Sequence, residues 1–172
     1  LEIASMIGAG LAKAAIAFSV NGEQRDLSDT VSQDADISIF TIDTDEGLEI
    51  MRHTVAAQVL ARAIKNLYPS AKLAIGPTIE NGFYYDFLSE ETVSIDDLPK
   101  IEKEMEKIVA SKSEILKTVH SKQDAVKSFA DINEEYKVKI IEDSDQEDNF
   151  QLYKQGDSGF IDLCRGPHLP SL

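Results

Sequence analysis

Phe160-Ile-Asp-Leu-Cys-Arg-Gly-Pro-His-Leu-Pro-Ser171 is the stretch of the chain that is richest in chemically reactive side chains. It holds the only cysteine of the sequence and one of its three histidines. The Gly166-Pro167 pair excludes an ordinary helix here, because proline lacks a backbone N–H and clashes with a preceding helical turn. The stretch therefore predicts a strand that leads into a turn, with Asp162 and Cys164 on one face of the strand.

Asp162, Cys164 and His168 bring a carboxylate, a thiol and an imidazole to one end of this predicted strand. Such a group could ligate a metal ion or activate a water molecule. It could equally be a polar strand end without chemistry, since half of a zinc site often arises by chance. The spacing of these three residues alone leaves the alternatives open.

Composition and charge narrow the class of protein. Of the 172 residues, 42% are hydrophobic and 28% are charged, as in an ordinary globular protein. A single cysteine excludes an internal disulfide framework and fits a reducing, cytoplasmic location. The net charge of −14 argues against a self-sufficient nucleic-acid binder. The apolar run at residues 3–18 is too short and too interrupted to span a membrane, and Leu1 suggests a piece cut from something longer.

The first part of the chain predicts a small α+β unit. We expect a helix at residues 3–15, strands at 16–20 and 37–42, and a tight hairpin turn at Asn21-Gly22. A long helix then begins at Asp45 and is stopped by Pro69. His53 lies on or beside the apolar stripe of that helix, where a buried core imidazole and a functional one are about equally expected.

The second part predicts alternating hairpins and helices. An Asn81-Gly82 turn joins strands at 72–79 and 83–88, and a Ser94/Asp97 capping box opens a helix that extends to residue 111. A strand at 115–120, a helix ending at 130 and a hairpin at 151–164 complete the pattern, while 136–141 is compatible with a strand or a helix end. We therefore predict an α+β fold.

Three motifs together resemble one family. Ala74-Ile-Gly-Pro-Thr-Ile-Glu-Asn-Gly-Phe-Tyr-Tyr-Asp86, Tyr136-Lys137 and Asp162-Leu-Cys-Arg-Gly-Pro-His168 closely resemble the amino-terminal region of bacterial threonyl-tRNA synthetase. The resemblance implies a partial TGS domain, a ubiquitin-like β-grasp unit, at residues 1–43. It implies an editing domain at 44–172, truncated at its carboxyl end, with an antiparallel sheet packed against a long helix. The aminoacylation core of the family, with its ATP and zinc, has no counterpart in this sequence.

The function that the resemblance implies is hydrolysis of serine wrongly esterified to threonine tRNA. Partners would be the 3′ end of that tRNA and, in the full synthetase, a second copy bound through the absent core. By position in the motifs, the resemblance assigns Lys137 and His168 to polarising the ester and positioning water. It assigns Asp162 to the substrate ammonium and Tyr85 to the serine side chain or the terminal adenosine. His53 and Cys164 complete the expected catalytic group, and Gln58 is expected to contact substrate.

One segment departs from the family pattern. The family carries His-x-x-x-His on the long helix, whereas this chain has His53-Thr-Val-Ala-Ala-Gln58, which is one residue longer. Aligned from the left, Ala57 replaces the second histidine, and aligned from the right, Thr54 and Gln58 replace both. Residues five apart on a regular helix differ by about 140° around the axis. We therefore predict a π-bulge that lets His53 and Gln58 face the same way.

The same departure bears on cofactors and on competing functions. Related alanyl-type editing proteins bind zinc through His-x-x-x-His and Cys-x-x-x-His motifs, of which this chain keeps at most His53, Cys164 and His168. We therefore expect no cofactor, with zinc at Cys164 and His168 as the less favoured alternative. A non-catalytic tRNA-docking module remains the main alternative function, and a free-standing editing protein is less favoured.

Overall fold

A three-stranded antiparallel sheet organises the first part of the chain in the computed structural model, which describes residues 1–172. Its strands are β1 (Ala15–Val20), β2 (Glu23–Asp26) and β3 (Ile37–Thr41), in the order β2-β1-β3. Asn21 and Gly22 form the turn between β1 and β2 with φ angles of 50° and 85°. Both residues tolerate positive φ, so the predicted tight hairpin is confirmed.

The predicted first helix is interrupted. Two short helices, α1 (Glu2–Ile7) and α2 (Ala9–Ala14), replace the single helix expected at residues 3–15. Gly8 separates them, with extended backbone at φ 172° and ψ 147°. Glycine is among the poorest helix formers, which explains the break. These helices and the first sheet form an α+β arrangement, and their assignment to a β-grasp unit stays a prediction.

The long helix of the second part is continuous but changes its winding. It consists of α3 (Asp45–Thr54), a π-helical segment (Val55–Leu60) and α4 (Ala61–Leu67). The Thr44 hydroxyl oxygen accepts a hydrogen bond of 3.0 Å from the backbone N–H of Gly47 and so caps its amino end. The predicted bulge is confirmed as a π-helical segment that begins directly after Thr54.

A buried glutamine supports the π-helical segment. The Gln155 side-chain amide donates to the Gln58 backbone carbonyl at 2.5 Å and to the Gln58 Oε1 at 3.0 Å. Its own carbonyl accepts from the Arg62 guanidinium at 3.0 Å. Gln58 and Gln155 are both fully buried. A buried carbonyl without a partner is costly, so Gln155 stabilises the segment where the winding changes.

Short hairpins and a second helix pack around the long helix. Strand β4 (Lys72–Leu73) pairs with β7 (Phe87–Leu88), and β5 (Thr78–Ile79) pairs with β6 (Gly82–Phe83). A 3₁₀ turn (Ile95–Asp97) with the predicted Ser94/Asp97 capping box opens α5 (Leu98–Ala110). Helix α5 packs against α4 through the main hydrophobic core, to which Ile101 and Ile108 contribute.

A second antiparallel sheet carries the reactive stretch. Its order is β10-β9-β8, with β8 (Ile115–His120), β9 (Phe150–Gln155) and β10 (Ile161–Leu163). Helices α6 (Lys122–Ala130) and α7 (Glu135–Glu142) cover it through a separate apolar cluster. The segment that allowed a strand or a helix end is thus helical. No helix in the chain is both long enough and apolar enough to cross a lipid bilayer.

Replacement of Gln155 tests the support of the π-helical segment. We expect Gln155→Ala to lower the free energy of unfolding by about 1–3 kcal/mol, because two buried acceptors of Gln58 lose their donor. Urea unfolding followed by circular dichroism measures the change. Lys154→Ala, at the exposed neighbouring position, should stay within about 0.5 kcal/mol of the wild type. Equal stability of the two variants would contradict this role.

Candidate active site

A cavity of about 1060 Å³ lies between the long helix, the short hairpins, α7 and the loop after β10. Five of the seven residues expected from the sequence line it: His53, Tyr85, Lys137, Asp162 and Cys164. These residues come from four separate segments of the chain, so only the tertiary fold brings them together. One wall of the cavity carries the charged side chains of Lys137 and Asp162 together with Tyr85. The other wall carries His53 and Cys164.

The charged wall is a buried ion pair with a phenol. Lys137 from α7 lies 2.6 Å from Asp162 Oδ1 on β10, with side-chain exposures of 3% and 2%. The Tyr85 hydroxyl donates to Asp162 Oδ2 at 3.1 Å and accepts from Lys137 Nζ at 3.2 Å. Burial raises the pKa of Tyr85, and the Asp162 carboxylate raises it further. Tyr85 therefore stays protonated and keeps donating to the carboxylate.

The Tyr85 ring lies directly against the chain at Gly76. A Cβ atom at Gly76 would come within 2.1 Å of the ring. Both residues belong to the motif at 74–86, and the glycine gives the aromatic ring room to enter the cavity wall. Tyr84, in contrast, is half exposed. The two successive tyrosines, which lie between β6 and β7, therefore differ in burial, and only Tyr85 lines the cavity.

The opposite wall pairs an imidazole with a thiol. His53 Nε2 lies 2.7 Å from Cys164 Sγ. Burial raises the pKa of the Cys164 thiol to about 12, so the sulfur keeps its proton at neutral pH and donates it towards His53. Burial also lowers the pKa of His53 below its usual value, although the Asp162 carboxylate opposes this shift. At neutral pH this wall presents a neutral imidazole and a thiol, and the sulfur is not poised as a nucleophile.

His168 does not line the cavity but lies immediately behind His53. The two rings stack with centroids 4.6 Å apart and an angle of 7° between their planes. His168 is 1% exposed. Burial lowers its pKa well below the usual value, and the neighbouring His53 lowers it further. The site therefore contains two neutral imidazoles in contact.

Thr54 fixes the proton position on His168. Its hydroxyl donates to the Ile50 carbonyl at 2.9 Å, so its oxygen is left to accept from the Leu169 N–H at 3.0 Å and from His168 Nδ1 at 3.2 Å. The His168 proton consequently sits on Nδ1. Nε2 then carries a bare lone pair, and it is buried without a hydrogen-bond partner. Such a nitrogen can accept a proton from water.

Sequence reasoning did not identify Thr54 as part of the site. The available signal was a polar β-branched residue next to His53 on an otherwise apolar helix face. Its contacts to Leu169 and His168 cross more than 110 positions of sequence, which no local pattern reveals.

The chain is similar to threonine–tRNA ligases over nearly its whole length. It is 47% identical over 170 residues to the threonine–tRNA ligase of Clostridium novyi (strain NT), an alignment that covers 99% of the chain. It is 45% identical to that of Marinobacter nauticus over 170 residues and 48% identical to that of Wolbachia sp. subsp. Drosophila simulans over 159 residues. The chain belongs to the threonine–tRNA ligase family. It spans about a quarter of the length of these ligases, 26%, 26% and 25% respectively. No protein-family model matches the chain.

Gln58 is the second expected site residue, after His168, that does not line the cavity. Its side chain contacts Gln155 inside the protein, and the cavity is lined instead by Ala57. The π-helical segment therefore does not bring Gln58 into the cavity beside His53. Its expected contact with substrate stays a prediction, whereas its contact with Gln155 links the helix to β9.

His53, Cys164 and His168 could together hold a metal ion, because their donor atoms lie within 4.8 Å of one another. Zinc bonds of about 2.3 Å to sulfur and 2.0–2.1 Å to nitrogen at a tetrahedral angle separate the two donors by about 3.6 Å. The observed distance from His53 Nε2 to Cys164 Sγ is 2.7 Å. The thiol, with its pKa near 12, would also have to lose its proton. In this arrangement the residues do not fit zinc.

Zinc content tests that conclusion directly. We expect the purified chain to retain no stoichiometric zinc after dialysis, because the donors are too close and the thiol is protonated. Elemental analysis by mass spectrometry, alongside a Cys164→Ala variant, measures the content. One zinc per wild-type chain, lost in the Cys164→Ala variant, would contradict the geometric argument.

The neutral state of His168 predicts a pH dependence of stability. An unfolded histidine has a pKa of about 6.5, and the folded value is lower. Above pH 6.5 both states are neutral, but as the pH falls the unfolded state binds a proton that the folded state excludes, so stability falls. Between pH 7 and pH 5 this amounts to a loss of about 2 kcal/mol. We expect the loss to be smaller by about that amount in His168→Gln.

Urea unfolding at the two pH values measures this difference. His120→Gln is the matched control, since His120 lies outside the cavity on β8 and bonds only to the Thr118 hydroxyl. An equal pH-dependent loss in the wild type and in His168→Gln would show that His168 is not held neutral by the fold.

Proposed function

We propose that this chain is the editing part of a threonine–tRNA ligase and hydrolyses the ester of serine mistakenly attached to threonine tRNA. The observation that carries the proposal is the neutral imidazole of His53, stacked on His168 behind it, which faces a buried lysine–carboxylate pair across one cavity. Ester hydrolysis needs a proton acceptor for water and a cation near the developing oxyanion. This cavity holds both within reach of one substrate.

A threonine-specific ligase has a physical need for such a second site. Serine is smaller than threonine by one methyl group, and a pocket that admits the larger side chain rejects the smaller one by only about 1–3 kcal/mol. A site that hydrolyses the serine ester and excludes threonine supplies the missing discrimination. The aminoacylation activity itself would reside in the part of the ligase that this chain does not span.

His53 would hold the attacking water, and His168 would support the His53 ring from behind. His53 lines the cavity, and a ring nitrogen of His168 lies within 4.8 Å of the donor atoms of His53 and Cys164. Once water replaces the Cys164 thiol as the hydrogen-bond donor to His53 Nε2, this nitrogen accepts a proton from the water as the water oxygen attacks the ester carbon. The carbonyl becomes an oxyanion, the bond to the ribose oxygen breaks, and the proton passes to that leaving oxygen. The products are serine and the free tRNA terminus.

Lys137 would stabilise the oxyanion. Its ammonium group is buried and fixed by Asp162 and by the Tyr85 hydroxyl, so little reorganisation is needed during the reaction. Loss of one such stabilising group typically costs about 10²–10³ in rate. Cys164, as a thiol, would donate to His53 and align its ring instead of attacking the ester.

Asp162 and Tyr85 would recognise the amino acid. Asp162 Oδ1 already binds Lys137 and the Leu163 N–H, whereas Oδ2 accepts only from Tyr85 and keeps a lone pair for the substrate ammonium. Glu49 adds negative charge to the same cavity wall. The volume of about 1060 Å³ exceeds what a seryl group needs, which leaves room for the terminal adenosine beside Tyr85.

The partner would be the 3′ end of threonine tRNA. With a net charge of −14, the chain has little general attraction for phosphates, so recognition would be confined to the aminoacylated terminus. No cofactor enters this scheme, because the His53 imidazole accepts the proton and the ammonium stabilises the charge.

Substitution of Lys137 tests the proposed hydrolysis. We expect Lys137→Met to lower the single-turnover rate of serine release from Ser-tRNA(Thr) by about 10²–10³, because the oxyanion loses its cation. Lys139→Met is the matched control, since Lys139 is exposed on the same helix two positions later. Circular dichroism and urea unfolding establish that each variant is folded, and Thr-tRNA(Thr) is the control substrate.

The same measurement separates editing from docking. Hydrolysis of Ser-tRNA(Thr) in preference to Thr-tRNA(Thr), slowed by Lys137→Met and not by Lys139→Met, supports the editing function. Binding of the tRNA without serine release by the folded wild-type chain would identify a docking module. Equal hydrolysis by wild type and Lys137→Met would remove Lys137 from the mechanism.

A further inference from the structure

Asp26 is a buried carboxylate that belongs to the first sheet yet contacts the reactive stretch. It ends β2 and is 7% exposed. Its Oδ1 accepts from the backbone N–H of His168 at 3.0 Å, across 142 positions of sequence. Its Oδ2 accepts from the Tyr153 hydroxyl at 2.7 Å. Asp26 does not line the cavity, so its contacts with the site run through these neighbours.

Both neighbours determine the position of the His168 imidazole. One is the backbone of His168 itself. The other is Tyr153, whose ring meets the imidazole edge-on, with centroids 4.5 Å apart and an angle of 81°. Thr54 holds the ring from the opposite side through Nδ1. Asp26 therefore holds His168 by two independent routes, through its main chain and through the aromatic ring beside it.

The charge of Asp26 is balanced by a lysine from the second sheet. Lys117 on β8 lies 3.0 Å from Asp26 Oδ2 and also pairs with Asp29. The Asp26 backbone N–H donates to the Asp29 carboxylate at 3.2 Å. A buried carboxylate is tolerated only when its charge and lone pairs are satisfied in this way. The pair also joins the first sheet to the second, directly beneath the loop that carries His168.

The loop from Cys164 to His168 lies in close contact with Tyr153 and Asp26. Gly166 has a φ of +65°, and a Cβ atom there would lie 2.0 Å from the Tyr153 hydroxyl and 3.2 Å from Asp26 Oδ2. Only glycine allows that approach. The turn from Cys164 to His168 thus packs against Asp26 and Tyr153. A substitution of Asp26 therefore changes the surface on which this turn packs.

We propose that Asp26 is a positioning residue for His168, by which the first sheet completes a site carried by the second part of the chain. The inference rests on the proposed function, since His168 supports there the His53 ring that would hold the attacking water. It adds that the residues at 1–43 are required for hydrolysis and do more than adjoin the editing domain. Asp26 orients the ring that His53 stacks upon, and it touches neither substrate nor water.

Asp26→Ala tests the proposal with two separate readouts. We expect the single-turnover rate of serine release to fall by about ten- to hundredfold, because a small misplacement of a catalytic group has effects of this size. The apparent affinity for Ser-tRNA(Thr) should change less than about twofold, since Asp26 lies outside the cavity. Proton–nitrogen NMR of the imidazoles should show His168 protonated at Nδ1 in the wild type. In Asp26→Ala the ring should move away from Thr54, which fixes that proton, and the signal should average between tautomers.

Conservative and control variants distinguish positioning from general stability. Asp26→Asn keeps an acceptor for the His168 N–H and should recover part of the lost rate. Asp34→Asn, an exposed acid of the same unit without side-chain partners, should match the wild type in rate and spectrum. If Asp26→Ala does not fold, Tyr153→Phe, which keeps the ring and removes only the hydroxyl, should still slow hydrolysis and disturb the His168 signal.

An unchanged His168 tautomer and an unchanged rate in folded Asp26→Ala would overturn the proposal. A loss of rate with an unchanged tautomer, fully explained by lower stability, would also overturn it. Failure of the wild type to hydrolyse Ser-tRNA(Thr) would reject the proposed function instead, and the tautomer measurement would still decide whether Asp26 positions His168.

Discussion

The cavity depends on one buried carboxylate. Asp162 is 1% exposed, and its charge can persist there only because Lys137 and Tyr85 satisfy it. Breaking a buried pair by removing one partner typically costs about 3–5 kcal/mol, because the remaining charge has no compensation. The interaction therefore fixes three elements at once, since β10, α7 and the hairpin segment at 85 must stay together to keep the charge balanced. The remaining features of the site are arranged around that fixed point.

The two walls of the cavity differ in how they respond to protons. The Lys137–Asp162 wall supplies fixed charges of opposite sign. On the other wall, burial keeps His53 neutral and Cys164 protonated, with the thiol pKa near 12. Burial also keeps His168, which lies behind His53, neutral. A neutral base opposite a permanent cation is the combination that ester hydrolysis needs near neutral pH. Burial thus keeps His53 neutral and able to act as a base, and the ion pair with Asp162 holds the positive charge of Lys137 in place.

Local signals in the sequence predicted local structure well. The Ser94/Asp97 capping box and the Asn21-Gly22 turn are as expected, because each depends on residues within one turn of chain. Gly8 split a helix that apolar content alone suggested was continuous. The lining of the cavity was predictable only through the family motifs. Thr54 and Asp26 were not, since their contacts to His168 span 114 and 142 positions and leave no local pattern.

The widened turn after Thr54 has a consequence for how members of this family are compared. An extra residue rotates everything that follows by about 100° unless the helix absorbs it. A π-helical segment such as Val55–Leu60, where the Gln155 side chain donates to the Gln58 carbonyl, can absorb a residue of this kind. A gap drawn anywhere in this segment would equate side chains that face different directions. Homologous positions on this helix must therefore be matched by superposing backbones. A substitution inferred from a sequence alignment alone can be an artefact of where the gap was placed.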